Sequence, residues 1–131
     1  MKNGLFLVPA LAFLAACQTG PSADRPVSSN TVVTDVSADM SSIVGRYDPA
    51  SFTPKNARKM AAFSCENQVL ASFGETTVDG QTVFTATCRD GMKYGKGSGV
   101  NFYKTGPNQA QYSAIHSLSG QITIEEGDFS Y

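Results

Sequence analysis

Val78-Asp79-Gly80-Gln81-Thr82-Val83-Phe84-Thr85-Ala86-Thr87-Cys88 carries two β signals in succession. Asp-Gly between β-prone runs suits a two-residue hairpin turn, whose central residues both take positive φ. From Thr82 onward the side chains alternate. Thr82, Phe84, Ala86 and Cys88 fall on one face, and Val83, Thr85 and Thr87 on the other, which is the period of an extended strand. On the N-terminal side, Asn67 to Phe73 reads as the strand that precedes the hairpin, with Val69, Ala71 and Phe73 sharing a face.

The same period continues downstream. Arg89-Asp90-Gly91 is a turn, and Gly99 to Lys104 is a strand with Val100 and Phe102 on one face. Gly106-Pro107-Asn108 turns the chain again. Ala110 to Ser117 then places Ala110, Tyr112, Ala114 and His116 on one side. Ser119-Gly120 leads into Gln121 to Glu125, where Ile122 and Ile124 share a face. Upstream, Thr53-Pro54 marks a helix start, since Thr accepts from the first free N–H groups and Pro fits the first turn. Ala57, Met60, Ala61 and then Ser64 or Cys65 supply its apolar stripe. The expected fold is α+β or mainly β, a small antiparallel meander with one short helix. Eight membrane-crossing strands of about 9–11 residues would consume nearly the whole folded part, so a transmembrane barrel is a poor alternative.

Composition narrows the class. The chain has 131 residues and a formal charge of -1, against the basic excess of a nucleic-acid binder. Charged residues are 16%, below the roughly 25% of an ordinary soluble domain. There is one His, no Trp and three Cys.

The N-terminus reads as an address. Met1-Lys2-Asn3 precedes twelve apolar residues, Leu5 to Ala16. That run is shorter than the ~20 residues of a membrane-spanning helix and matches an export signal. It ends in Leu14-Ala15-Ala16-Cys17, which resembles the lipobox of bacterial lipoproteins. A plain secretory signal with a nearby cysteine is the alternative. The resemblance implies cleavage before Cys17 and acylation of its thiol and amino group. Two or three acyl chains make attachment stable where one does not. Gln18, rather than Asp, after the cysteine implies outer-membrane sorting facing the periplasm, with the inner membrane left open. The expected organisation is a lipoprotein signal peptide over 1–16, a lipidated N-terminus and flexible tether over 17–41, and a periplasmic β-rich domain over 42–131. Thr31-Val32-Val33-Thr34 could still form a first edge strand. Roughly ninety residues make a small core, and an oxidising periplasm favours a stabilising Cys65–Cys88 disulfide. One His and no CxxC argue against the rival reading, a reactive or metal-binding thiol pair.

Candidate sites are sparse. Asp90 to Gly99, DGMKYGKGSG, lacks the phosphate-loop spacing: Gly97, not Ser or Thr, follows Lys96. The stretch is similar to one unit of a MORN repeat, but no second copy follows it. Gly91-Met92-Lys93-Tyr94 and Phe102-Tyr103-Lys104 resemble the motif of the membrane-bound inhibitors of c-type lysozyme, small bacterial lipoproteins with a β-barrel fold and a disulfide. The resemblance implies inhibitory contacts through Tyr94 and Lys104. Asp90 stands where that motif has Ser, Thr105 interrupts Lys-Gly, and Trp is absent. His116 has no nucleophile elbow to serve, so it reads as a packed side chain. Glu125-Glu126-Gly127-Asp128 lacks the spacing of a calcium loop and reads as a solvated acidic end. Lys55, Arg58 and Lys59 crowd the first turns of the helix and read as solvated, the alternative being contact with lipid phosphates or anionic envelope polymers. No catalytic residue, metal ligand or cofactor is expected. The expected role is a non-catalytic envelope binding or structural module with an envelope protein or cell-wall partner, the alternative being an inhibitor of a cell-wall-cleaving enzyme.

Overall fold

A computed structural model describes residues 23–118 and 121–131. The expected signal peptide, Cys17 and the Ser119-Gly120 turn lie outside the described residues. The elements in chain order are β1 (Thr31–Val36), β2 (Ile43–Tyr47), α1 (Pro54–Ala62), a 3-10 turn (Glu66–Gln68), β3 (Leu70–Val78), β4 (Gln81–Cys88), β5 (Gly99–Gly106), β6 (Gln109–Leu118) and β7 (Gln121–Ser130). The seven strands form one sheet in the order β3-β4-β2-β1-β5-β6-β7, antiparallel at every pairing. The β5-β6-β7 run is a simple meander. The β2–β4 and β1–β5 pairings join strands that are not consecutive.

Helix α1 begins as its residues dictate. Thr53 Oγ1 accepts from Asn56 N–H at 3.2 Å, and Asn56 Oδ1 accepts from Thr53 N–H at 2.9 Å, a reciprocal cap. Ala57, Met60 and Ala61 are buried against the sheet. Arg58 turns outward and lies 5.0 Å over the Phe73 ring. The sheet's inner face supplies Val32, Ile43, Tyr47, Phe84, Ala86, Val100, Phe102, Ala110 and Ala114 to one core shared with α1. Phe63, just past the helix, touches Tyr94, Phe102, Tyr112 and Phe129, with ring centroids 4.7–6.2 Å away. Cys65 then bonds to Cys88 at the end of β4, with Cα atoms 5.4 Å apart.

The β3–β4 hairpin turns on Asp79 (φ 51°) and Gly80 (φ 80°), both left-handed, with Val78 opposite Gln81. Phe84 and Ala86 point inward as their alternation predicts. On β3 the face assignment changes. Leu70 pairs with Cys88 and Ser72 with Thr87, so Ala71 is the extra residue of a bulge. The bulge puts Leu70 and Phe73 on the core side and leaves Ala71 exposed, whereas a strict period of two grouped Val69, Ala71 and Phe73.

The flexible tether expected over 17–41, with a domain beginning at 42, needs correction for its described part. Thr31–Val36 is β1, at the centre of the sheet rather than at an edge, between β2 and β5. Its Val32, Val33 and Thr34 are all buried, because the chain before it crosses the outer face. Ala23 N–H donates to Asp35 Oδ2 at 3.0 Å. Val27 exchanges two hydrogen bonds with the Gln81 side chain, at 3.1 and 2.8 Å. Gln81 also accepts from Arg46 Nε at 2.8 Å, which satisfies part of the guanidinium of a residue that is only 3% exposed. A strand covered on both sides does not alternate, and β1 therefore lacks the pattern that marks β4.

The acidic run is solvated as expected, but within a strand: Glu125, Glu126 and Asp128 are exposed on β7, and Phe129 and Tyr131 beyond them pack against the core.

Candidate functional site

The densest polar arrangement on the inner face is held by β6 and β7. Ala114 faces Glu125 across the ladder, while Tyr112 pairs with Gly127 and His116 with Thr123. Tyr112 and His116 are therefore the diagonal neighbours of Glu125. His116 Nε2 lies 3.1 Å from Glu125 Oε1, and Tyr112 Oη donates to Glu125 Oε2 at 3.2 Å. Gly127 makes room for this: a Cβ there would meet the Tyr112 ring and hydroxyl at 2.8 Å. Tyr94, from the loop between β4 and β5, stacks edge-on against His116 at 4.1 Å.

The electrostatics keep these tyrosines protonated. Burial, then the Glu125 and Tyr112 charges, pushes Tyr94 up to about 12. Burial first, and the bond to Glu125 second, raises Tyr112. Tyr94 is 5% exposed and its hydroxyl has no hydrogen-bond partner among the described residues. The Tyr112–Glu125–His116 group fastens β7 to β6. It joins the Glu125 carboxylate of β7 to an imidazole and a phenol of β6, in the manner of a clasp. Among the described residues, no group of three or more His, Cys, Asp or Glu side chains is placed to hold a metal ion.

The remaining candidates are dispersed. Cys65 and Cys88 form the disulfide. Lys104 Nζ donates to Ser51 O at 2.9 Å and lies 5.6 Å over the Phe52 ring. Tyr94 belongs to the buried cluster, so it and Lys104 do not form one projecting inhibitory loop. Lys93 caps the cluster, 5.3 Å over Phe63 and 5.4 Å over Tyr94. The Gly-rich stretch crosses one end of the sheet and is tied down by backbone bonds: Lys93 N–H to Ser64 O at 2.9 Å and Glu66 N–H to Gly91 O at 3.0 Å.

One feature was not legible in the motifs. On the outer face of β7, Ile122 is 72% and Ile124 is 64% exposed. Their shared face was visible in the alternation, but not that no layer of the described residues covers it. Toward the other end of the same sheet face, Tyr103 stands exposed between two shallow grooves. One is lined by Arg25, Pro26 and Val27, the other by Gln111, Glu126 and Asp128. No helix among the described residues is long and apolar enough to cross a membrane. No known protein family, curated protein or solved structure matches the chain.

Proposed function

We propose that this is an outer-membrane lipoprotein, acylated at Cys17 and facing the periplasm, whose β domain is a non-catalytic binding or structural module of the envelope. The observation that carries the reading is Leu14-Ala15-Ala16-Cys17 at the end of the apolar run Leu5 to Ala16. The Cys65–Cys88 disulfide suits an oxidising compartment. The only histidine is engaged with Glu125 and Tyr94, which favours a structural use of that side chain. An envelope protein or cell-wall polymer is the partner class for such a module. The alternative, inhibition of a cell-wall-cleaving enzyme through Tyr94 and Lys104, draws no support from one buried side chain and one tied ammonium group.

Metabolic labelling with palmitate tests the anchor. Label is expected in the native chain and absent from Cys17→Ala. Label that persists in the variant would remove the reading. Crosslinking in intact cells, followed by mass spectrometry, tests the module: a reproducible envelope partner is expected.

A further inference from the structure

The seat of Ala23 on Asp35 and the exposed isoleucines lie on one face of the sheet. Asp35 of β1 pairs with Gly99 of β5, Gly99 with Ile115 of β6, and Ile115 with Ile124 of β7. All four residues belong to the outer face, since Thr34, Val100, Ala114 and Glu125 point inward. Three inter-strand spacings separate Asp35 from Ile124, about 14 Å. Ala23 is bonded to Asp35 and buried on that same face. Only residues 18–22 stand between Cys17 and Ala23, so the two Cα atoms are at most ~20 Å apart. A lipid on Cys17 therefore holds this end of the sheet within reach of the bilayer surface.

The same end gathers apolar side chains. The β1–β2 loop, the start of β5 and the β6–β7 hairpin all lie there. Of the five exposed large apolar residues among the described residues, Met40, Ile122 and Ile124 are at this end. Met40 is held outward by a structured turn, in which Asp39 Oδ1 accepts from Ser37 Oγ, Ser41 N–H and Ser41 Oγ at 2.7–3.0 Å. Lys96 is exposed in the loop beside Ser117, the ladder partner of Ile122. Asp39 and Glu126 are exposed near the same end, so an anionic surface is not attracted by net charge, and apolar burial is the driving term.

We infer that Met40, Ile122 and Ile124 form a bilayer-contacting edge that lays the domain against the lipid surface to which Cys17 tethers it. The inference rests on acylation of Cys17. It converts a loosely leashed domain into one of fixed orientation, with the β3–β4 hairpin tip directed away from the membrane.

The test uses the full acylated chain in vesicles of phosphatidylethanolamine and phosphatidylglycerol. A diazirine-bearing amino acid replaces Ile122, Met40 or, at the far end, Val78. The acyl mass at Cys17 and vesicle flotation are read first, and photolabelling of lipid is read second. Positions 122 and 40 are expected to label lipid about tenfold more than position 78, as side chains held in the acyl boundary rather than in water do. Equal labelling at all three positions of an acylated, floating protein overturns the orientation and leaves the anchor standing. So does capture of a second copy of the chain by position 122, which makes the exposed β7 edge a protein interface. A chain with no acyl group that does not float removes the anchor, and the bilayer edge falls with it.

Discussion

The β3–β4 hairpin turns on Asp79-Gly80 and is joined through Cys88 to Cys65, just beyond the helix. At the opposite edge the β6–β7 hairpin is held non-covalently, by the aromatic group around Phe63 and Phe129 and by Glu125 reaching both Tyr112 and His116. Their exposed surfaces differ as well. β3 shows the solvent Ser72, Thr76 and Thr77, with Val78 part-exposed at its tip, whereas β7 shows it Ile122 and Ile124 beside Glu126 and Asp128. Polar side chains protect an exposed edge from unwanted pairing, and exposed isoleucines do not. One edge is thus covalently stapled, and the other is clasped and carries the two most exposed large apolar side chains.

The sharpest way to break this contrast is Phe63→Ala. Phe63 is the ring through which the end of α1 reaches β5, β6 and β7, and its loss is expected to cost about 3–5 kcal/mol. Urea unfolding reads the total. Native-state hydrogen exchange should show protection falling first in β6 and β7, and equal loss in β3 and β4 would deny the division into two wings. Next in size is Cys65→Ser with Cys88→Ser, expected to cost about 3 kcal/mol on the chain-entropy account. Here the earliest loss of protection should be in β3, β4 and the turn after α1.

A smaller change sharpens the picture of the clasp. Gly127→Ala drives a methyl group into the Tyr112 ring and hydroxyl, displacing the donor from Glu125. About 1–3 kcal/mol is expected from such overpacking. A crystal structure or the tyrosine NMR signals of the variant should show Tyr112 moved, and an unmoved ring would contradict the geometry.

The smallest expected effect concerns the outer face where Ala23 packs against Asp35. Burial raises the Asp35 carboxyl above its usual 3.8, outweighing the Ala23 N–H that favours the carboxylate; the Asp24 charge adds to the rise and Arg25 opposes it. The folded state therefore binds this proton more tightly than the unfolded state. That contribution is full below the ordinary carboxylate range and is lost as pH rises through the raised folded value. Asp35→Asn keeps an acceptor for Ala23 and removes the titration. It is expected to be slightly more stable than the native chain at pH 7 and to lose that advantage at pH 3. Thermal unfolding at the two pH values checks the sign.

Much of the local structure was readable because short-range signals coincide with the final contacts. Thr53-Pro54, Asp79-Gly80 and the Thr82 to Cys88 alternation each involve residues a few positions apart, and each matches the element that forms. The candidate site was less readable. His116 and Glu125 are nine positions apart, and nothing in their neighbours announces that a ladder register makes them diagonal partners. The bulge at Ala71 was hidden for a related reason, since inserting one unpaired residue leaves composition unchanged and reverses a face.

Residue order alone set the antiparallel β character, the helix cap, the tight hairpin and the pair of cysteines that meet. Placement of Thr31–Val36 at the middle of the sheet was settled only by tertiary structure, as were the seating of Ala23 on the outer face, the Glu125 clasp and the exposure of Ile122 and Ile124 on β7. The physical reason is that propensity and period act over a few residues. Which strand lies beside which, and which face finds a cover, depends on burial summed across the whole chain.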